Sequence, residues 1–369
     1  MNVEGYVRLE FFFRFDEYED APSFLENEDA KVKVIIADEP IFVNASDMEL
    51  QENGTYLYSV DLYAMDYRNN ISVQFTNGEY IWTGATNVSI ETFLLQYLAK
   101  VEYELDVVIS DLNNAEIEGN TDTIAALQEE KLQLTGYKNV LLSMLNYYDA
   151  AAVHFGVKDA YMARQSTFSA IRPISDENVE MEEPIQPEED TDLSAAMEKV
   201  TADDLVAYKA TLEAGSKLPS GIKLIGMTLL LDSGTDIRVY LQIANSVNLD
   251  NVQFTINGEE TTLHHYDGAT YYLAVDNLNP FQLKNMYTFA ITTDSTSYSF
   301  QYGACSYLYN TLKNEASTDK LVHLAKAMWL YCEQMEKAYN AIFGAPYEEE
   351  TEITEGENNG EVGDSNENV

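Results

Sequence analysis

The sequence carries one seven-residue pattern twice, as TYLYSVD at residues 55–61 and as TYYLAVD at residues 270–276. An alternating strand follows each copy, and further along the chain both copies change to helical periodicity. In the closing helices, Met144, Tyr147 and Asp149 of the first copy correspond to Met328, Tyr331 and Glu333 of the second. Correspondences that occur in the same order, with small insertions between them, predict that one module is written twice.

Two further pairs of segments match at one constant spacing. Ser89-Ile90-Glu91 is matched with Ser299-Phe300-Gln301, and Tyr97-Leu98 is matched with Tyr307-Leu308. Within a duplication, a residue that both copies share is interpreted as part of the scaffold. A residue at which the copies differ is the better candidate for function.

Period-two alternation predicts antiparallel strands that bury one face. Residues 237–243 alternate between apolar side chains and polar or aromatic ones. Asn257-Gly258 predicts a two-residue hairpin turn between strands. Six or seven short strands per copy predict a β-sandwich, and the helical periodicity that follows predicts an αα-hairpin packed on it. The predicted fold class is α+β.

The domain organisation follows from the repeat and from shifts in composition. Thr201, with Asp204 three residues later, predicts the start of a helix through an approximate capping box. The predicted boundaries are residues 1–160 for the sandwich and long helical hairpin of module 1, 161–216 for an acidic, proline-containing linker and helix, 217–345 for the sandwich and hairpin of module 2, and 346–369 for a disordered acidic tail.

The two copies differ most in the length of the helical hairpin. Thirty-nine residues separate Leu98 from Lys138, but 13 separate the matching Leu308 from Val322, so copy one has 26 more. The outgoing helix has a 3-4-3-4 apolar spacing, carried by Leu98, Val101, Leu105, Val108 and Leu112. We predict an antiparallel coiled-coil finger with its tip at Gly119 and about 13 extra residues in each arm. The alternative is a longer helix pair that folds back over its own sheet.

Charge limits the classes of partner. The chain has 63 acidic and 21 basic residues, a formal net charge of −42. Such a field repels phosphate backbones and anionic lipids, so neither nucleic-acid binding nor membrane insertion is predicted. No apolar run approaches the roughly 18 residues of a membrane helix. Neither a signal peptide nor a surface anchor is recognised in this chain.

Few residues carry a chemical signal. His264, His265 and Tyr266 form the richest segment, but adjacent strand histidines point to opposite faces, which favours a polar loop tip over a metal site. Trp82, near Tyr80, could stack on a sugar ring, although packing beneath its own hairpin is the preferred interpretation. These five residues are the candidate binding residues.

No catalytic residue, metal site or cofactor is predicted. The only cysteines, Cys305 and Cys332, fall on buried helix positions, and they are predicted to be free thiols because their expected positions are offset by roughly 7 Å along the helix axis. Neither cysteine has a histidine at motif spacing. Acidic residues are so abundant that no particular carboxylate pair indicates glycoside hydrolysis.

The closing helix carries the pattern Leu-Leu-x-Met-Leu-x-Tyr-x-x-Ala-Ala between Leu141 and Ala152, and a less faithful version lies between Ala325 and Met335. Together with the Tyr-Leu helix before it, this pattern resembles modules of β-sandwich and helical hairpin that occur in tandem near the C-termini of large secreted or cell-surface proteins of anaerobic gut Firmicutes. That family has no defined biochemical activity. The resemblance implies an extracellular or cell-surface location and a non-catalytic role.

The predicted function is a non-catalytic interaction or adhesion module of a larger bacterial surface or secreted protein. Its ligand would be a protein or a glycan. The alternative is a passive spacer that holds other domains away from the cell. A carbohydrate-active enzyme, or the carbohydrate-binding accessory of one, is less favoured, since no convergent set of catalytic residues is recognised.

Overall fold

A computed structural model gives the fold of the chain. It describes residues 7–13, 30–36, 39–51, 55–62, 67, 69, 71–76, 81–83, 89–156, 193–231 and 235–344. The predicted tail and most of the predicted linker lie outside these residues. Within them every strand pairing is antiparallel, and long helices follow the strands in both halves of the chain. The predicted α+β class is therefore confirmed.

The N-terminal half, residues 7–156, contains two sheets and then two helices. Its elements are β1 (Val7–Phe13), β2 (Lys31–Ile36), β3 (Glu39–Asn44), β4 (Glu49–Leu50), β5 (Tyr56–Leu62), β6 (Ile71–Thr76), β7 (Ile81–Thr83), α1 (Ile90–Glu118) and α2 (Thr121–His154). One sheet has the order β1-β5-β4 and the other the order β3-β2-β6-β7. Ile71, Val73 and Phe75 alternate along β6 and are all buried, as expected for a strand with one face in the core.

The C-terminal half, residues 193–344, has the same kind of plan. Its elements are α3 (Ser194–Glu198), β8 (Thr211–Leu212), β9 (Ile222–Leu230), β10 (Asp236–Ile243), β11 (Gln253–Ile256), β12 (Glu259–Glu260), β13 (His264–Asp267), β14 (Thr270–Val275), β15 (Tyr287–Thr292), β16 (Ser297–Tyr302), α4 (Ala304–Lys313) and α5 (Asp319–Phe343). Its sheets have the orders β13-β14-β10-β9 and β12-β11-β15-β16-β8. Asn257 and Gly258, with φ of 53° and 87°, connect β11 to β12, which confirms the predicted hairpin turn.

The strand orders of the two halves correspond position by position. β1-β5-β4 matches β10-β14-β13, and β3-β2-β6-β7 matches β12-β11-β15-β16. Within the described residues, β9 and β8 are additional edge strands of the C-terminal half. The strand registers agree as well. Phe12 of β1 lies opposite Leu57 of β5, and at the equivalent positions Tyr240 of β10 lies opposite Tyr272 of β14.

One predicted correspondence between the halves is wrong. Ser89 caps the start of α1, whereas Ser299 lies inside β16. The strand registers instead match Trp82 of β7 with Tyr298 of β16. The residues that lie opposite these two hold equivalent positions in β6 and β15. Six residues separate β7 from α1, but a single residue, Gly303, separates β16 from α4. The sequence match assumed one constant spacing and therefore did not account for this difference in the length of the connection between strand and helix.

The helical hairpin of the N-terminal half is the longer one. α1 has 29 residues against 10 in α4, and α2 has 34 against 25 in α5. Beyond the matched residues Leu98 and Leu308, however, α1 runs 15 residues further than α4, and before the matched residues Lys138 and Val322, α2 begins 14 residues earlier than α5. The added length of the hairpin is therefore split almost evenly between the arms, as predicted. Gly119, with φ of 71°, ends α1, and the Asn120 side chain caps α2. The predicted turn at Gly119 is confirmed.

Residues 193–212 pack on the C-terminal half. α3 contacts α5, a 3₁₀ helix at Ala202–Tyr208 contacts α4, and β8 pairs with β16. The Thr201 amide donates a hydrogen bond of 2.8 Å to the Asp204 carboxylate, which is the expected capping contact. The fold of this half therefore begins before residue 217, the predicted start of module 2.

The two halves meet where α2 packs against α5. The Tyr147 ring stacks on the Tyr331 ring with 5.9 Å between centroids and 10° between planes. Midway along α2, a Cβ placed on Gly136 would lie 3.3 Å from the Ala338 side chain, so glycine permits a close approach to the last part of α5. The two helices run in opposite directions, and the buried apolar residues of both halves form one connected core.

His154 and His323 lie on these two helices, and the pKa of each is lowered. Burial is the larger cause at both residues. The Lys320 ammonium lowers the pKa of His154 further, whereas Glu198, whose carboxylate is 3.8 Å from Nδ1 of His323, raises that of His323 in part. The folded chain therefore binds fewer protons at these sites than the unfolded chain, in which histidine titrates near about 6.5.

Acidification through this range is expected to destabilise the chain through the two histidines. Because the unfolded state binds more protons, their contribution is complete above about pH 7 and is lost as the pH falls below about 6.5. The double variant His154→Ala, His323→Asn introduces the residues that the predicted repeat places at the equivalent sites, Ala338 and Asn139. Urea unfolding between about pH 5 and pH 8 should show a smaller loss of stability in the variant. Parallel profiles for the two proteins would contradict this expectation.

Candidate functional site

The best-defined candidate surface is the outer face of the sheet β13-β14-β10-β9. The apolar residues of β10 are buried, so the alternate residues Arg238 and Tyr240 face away from the core. Tyr272 of β14 lies opposite Tyr240, and His264 of β13 lies opposite Tyr272. Three rings from three adjacent strands are thereby brought side by side.

Tyr266 joins these rings because it stands two residues after His264 on β13, and alternate residues of a strand share a face. The pairing of β13 with β14 shifts register between His265 and Asp267, just beside it. Tyr266 is 61% exposed. We name Arg238, Tyr240, His264, Tyr266 and Tyr272 the tyrosine cluster.

The rings of the tyrosine cluster hold one another in place. His264 stacks on Tyr272 with 5.0 Å between centroids and 17° between planes. Tyr240 lies 5.8 Å from Tyr272. Tyr266 meets Tyr240 at 5.4 Å and Tyr272 at 6.5 Å, in both cases at 80°, which is an edge-to-face arrangement. The most exposed ring is thus positioned by two less exposed ones.

Arg238 supplies the positive charge of the cluster. Its guanidinium carbon lies 4.8 Å from the centroid of the Tyr272 ring, and one nitrogen lies 3.5 Å from the Asp236 carboxylate. Burial lowers the pKa of Arg238, but the hydrogen bond with Tyr240 and the proximity of Tyr272 and Asp236 raise it by more. Arg238 is therefore a fixed cation that a neighbouring carboxylate partly balances.

Open space and two buried polar atoms lie next to the rings. Nε of Arg238 and Oγ1 of Thr228, which lies opposite Arg238 on β9, are buried and have no hydrogen-bond partner within the described residues. Gly226 lies opposite Tyr240, and a Cβ built on Gly226 would meet no atom within 4 Å. A ligand that contacts the rings can therefore also occupy the open space beside Tyr240.

The two halves of the chain differ at these positions. Equivalent strands and registers place Glu10, Phe12, Leu57 and Glu49 in the N-terminal half where Arg238, Tyr240, Tyr272 and His264 stand in the C-terminal half. The C-terminal sheet thus carries an arginine and a histidine where the N-terminal sheet carries two acidic residues, and it carries two tyrosines where the N-terminal sheet carries two apolar residues.

The candidate residues of the C-terminal half separate as expected. His264 contacts Tyr272, while His265 meets Tyr271 on the other face, with 5.1 Å between ring centroids, and its Nε2 lies 3.1 Å from the Gly268 carbonyl oxygen. The prediction that adjacent histidines diverge is confirmed. No group of three histidine, cysteine, aspartate or glutamate side chains is placed to hold a metal ion within the described residues.

Sequence reasoning selected His264 and Tyr266 but missed the rest of the cluster. Arg238, Tyr240 and Tyr272 look like ordinary wet-face residues of alternating strands. Their signal becomes visible only when the register of β10 on β14 is known, since it makes Tyr240 and Tyr272 direct neighbours.

The structure says little about the two candidate binding residues of the N-terminal half. Tyr80 lies outside the described residues. Trp82 belongs to β7, where its backbone pairs with that of Phe75, but its side chain lies outside the description. The proposed stacking role of both residues stays a prediction.

Both cysteines are buried and free, as predicted. Burial raises the pKa of Cys332 to about 12 and the pKa of Cys305 well above its usual value. Since the thiolate is the reactive form, these thiols suit packing better than nucleophilic chemistry.

Two apolar grooves flank the contact between α2 and α5. One has a volume of about 360 Å³, and its walls include Tyr97, Tyr137, Val140, Leu141, Ala338 and Tyr339. The other has a volume of about 150 Å³, and its walls include Tyr307, Leu321, Leu324, Ala325, His154 and Phe155. Each groove therefore combines the hairpin of one half with the end of the closing helix of the other.

Among the described residues, no helix has the length and apolar character needed to cross a bilayer. A comparison of the chain with protein-family models, with curated proteins and with solved structures finds no match.

Proposed function

We propose that the chain consists of two copies of one module, each a β-sandwich followed by an αα-hairpin, packed about an approximate two-fold axis. The shared strand orders and registers support the duplication. The stacking of Tyr147 on Tyr331 supports the axis, because the predicted repeat makes these two residues equivalent. In a two-fold arrangement, a residue on the axis meets its own counterpart.

Contacts away from the axis support the same arrangement. Gly136 of α2 approaches Ala338 of α5, and Lys320 of α5 acts on His154 of α2. The predicted repeat matches Gly136 with Lys320 and His154 with Ala338. Each contact is therefore repeated with its partners exchanged, which is the property of an isologous interface. The walls of the two apolar grooves follow the same exchange.

We further propose that this two-module body is a non-catalytic interaction module of an extracellular bacterial protein, and that the tyrosine cluster makes the contact. The observation that carries this proposal is the ring arrangement itself. Tyr266 is 61% exposed yet is held by edge contacts to Tyr240 and Tyr272, in the half of the chain where the equivalent surface is aromatic and basic. Exposed, preorganised tyrosines bind at a low entropic cost.

The distal part of the first hairpin is a second contact candidate. Counted from the matched residues Leu98 and Leu308, α1 runs 15 residues further than α4, about 22 Å of helix. Val108, Leu112 and Ala115 are buried beyond the level at which α4 ends, as in the seam of a coiled coil, while Val107 and Ile117 are exposed. A projecting finger is our proposal for this part.

A passive spacer remains the rival function, and the acidic surface suits it equally well.

Binding experiments distinguish a contact module from a spacer. The purified full chain would be screened on glycan and protein arrays and then compared with Tyr266→Ala and Tyr240→Ala. We expect each substitution to weaken binding about tenfold, because exposed aromatic residues dominate small contact surfaces.

Phe12→Ala provides the matched control. Phe12 occupies the position of Tyr240 in the N-terminal sheet and is 58% exposed. Its replacement should leave binding unchanged. Equal effects of Tyr240→Ala and Phe12→Ala, or no binding by the wild-type chain, would favour the spacer.

A further inference from the structure

We propose that the tyrosine cluster binds a neutral saccharide chain, with one sugar ring stacked on Tyr266. The proposal rests on the contact function assigned to the cluster above and names the class of ligand. Three properties of the surface carry it: the exposed ring, the hydrogen-bonding groups around it and the local balance of charge.

The exposed ring is the first property. Tyr266 presents most of its surface to solvent, while perpendicular contacts at 5.4 Å and 6.5 Å fix its plane. The C–H face of a pyranose ring is apolar and flat enough to cover one aromatic ring. Because the ring is already held in place, little side-chain entropy is lost when a sugar covers it.

The hydrogen-bonding groups are the second property. The phenol hydroxyls of Tyr240 and Tyr272 can each donate and accept a hydrogen bond. Sugar hydroxyls also donate and accept, so they can satisfy this mixed set. A proline-rich peptide, the other ligand that tyrosine grooves favour, offers carbonyl acceptors but almost no donors.

Charge is the third property, and it selects a neutral sugar over an acidic one. The chain carries a formal net charge of −42, which repels polyanions over the whole surface. Arg238, the fixed cation of the cluster, is already paired with Asp236 at 3.5 Å. A carboxylated or sulfated chain would therefore meet a repulsive field, and the cation that belongs to the cluster is already paired.

The shape of the surface gives the chain a path past the rings. Gly226 lies opposite Tyr240 and leaves open space where a side chain would otherwise stand. Gly226→Val would fill that space without meeting a neighbouring atom within 4 Å at Cβ, and valine favours strands. This substitution tests the path while preserving the fold.

The test is calorimetric titration of the full chain with neutral hexasaccharides of β-1,4-linked glucose, xylose, mannose and galactose, with hexagalacturonate, and with a polyproline decamer. We expect at least one neutral hexasaccharide to bind with a Kd below about 1 mM. Tyr266→Ala and Gly226→Val should each weaken that binding at least about tenfold, and Phe12→Ala should leave it unchanged. Thermal unfolding of each variant verifies that the fold is retained.

Other outcomes overturn the inference in distinguishable ways. If only the polyproline decamer binds, and Tyr266→Ala abolishes that binding, the contact function stands and the saccharide assignment fails. Tighter binding of hexagalacturonate than of every neutral sugar overturns the preference for a neutral ligand. Saccharide binding that survives both Tyr266→Ala and Gly226→Val removes the cluster as the site, and the proposed contact function fails with it. No binding of any neutral sugar up to about 10 mM overturns the saccharide assignment.

Discussion

Replacing Tyr147 or Tyr331 with alanine is expected to lower the free energy of unfolding by about 3 to 5 kcal/mol, the usual cost of removing a large buried ring. The two rings stack at the centre of the interface between α2 and α5, and both are nearly buried. Each substitution would leave a cavity beside the other ring, because the two rings are neighbours. Urea denaturation of the two single variants and the double variant measures the effect.

The double variant distinguishes a shared contact from two independent ones. If the rings stabilise the chain through their mutual contact, the double variant should lose less than the sum of the two single losses. Strict additivity would mean that the stacked pair is not the centre of the interface.

The phenylalanine variants provide the controls, and the two sites should respond differently. The hydroxyl of Tyr147 hydrogen-bonds the Thr235 side chain, whereas the hydroxyl of Tyr331 is buried without a partner within the described residues. Tyr147→Phe should therefore cost about 1 kcal/mol, and Tyr331→Phe should be neutral or slightly stabilising. A loss of stability in Tyr331→Phe equal to that in Tyr147→Phe would contradict this assignment.

Asp149→Ala is expected to lower the free energy of unfolding by about 3 kcal/mol. The Asp149 carboxylate on α2 accepts a hydrogen bond from the hydroxyl of Tyr67, and both side chains are buried. Removal of the carboxylate would leave the buried hydroxyl of Tyr67 without this acceptor and would break the link between α2 and the segment that precedes β6. Asp149→Asn keeps an acceptor and should retain most of the stability. Chemical denaturation of the three proteins tests this ranking.

The C-terminal half supplies the comparison. Glu333, which the repeat matches with Asp149, pairs with Lys284 from the segment that precedes β15. Lys284 keeps a second partner, Glu336, at 2.6 Å, and these side chains are partly exposed. Glu333→Ala should therefore cost about 1 kcal/mol or less. If Glu333→Ala lowered the free energy of unfolding as much as Asp149→Ala does, the difference in solvent exposure would not explain the strengths of these two contacts.

Much of the strand architecture could be predicted from the sequence because it depends on local signals. Alternation in residues 237–243 identifies the buried face of β10, and Asn257-Gly258 has the backbone freedom that its turn requires. The turn at Gly119 follows from the same principle, since glycine accepts the left-handed conformation that ends α1.

The features that were mispredicted or missed depend on pairing across the chain. Ser89 and Ser299 stand in similar local sequences, but one caps a helix and the other extends a strand. The tyrosine cluster requires the registers of β10 and β13 on β14, which no local pattern encodes. The contact of Tyr147 with Tyr331 could have been suspected from the repeat, since duplicated domains often pack face to face, but periodicity alone does not show which face is used.

The exchanged contacts between α2 and α5 also set a limit on assembly. A surface that is complementary to its own copy binds one partner at a time, and under the proposed duplication the two modules occupy each other's surface within a single chain. An even number of such modules in a polypeptide can close in pairs, whereas an odd number leaves one helix face available to a neighbouring molecule. The proposed duplication thus turns a potential dimerisation surface into an internal joint.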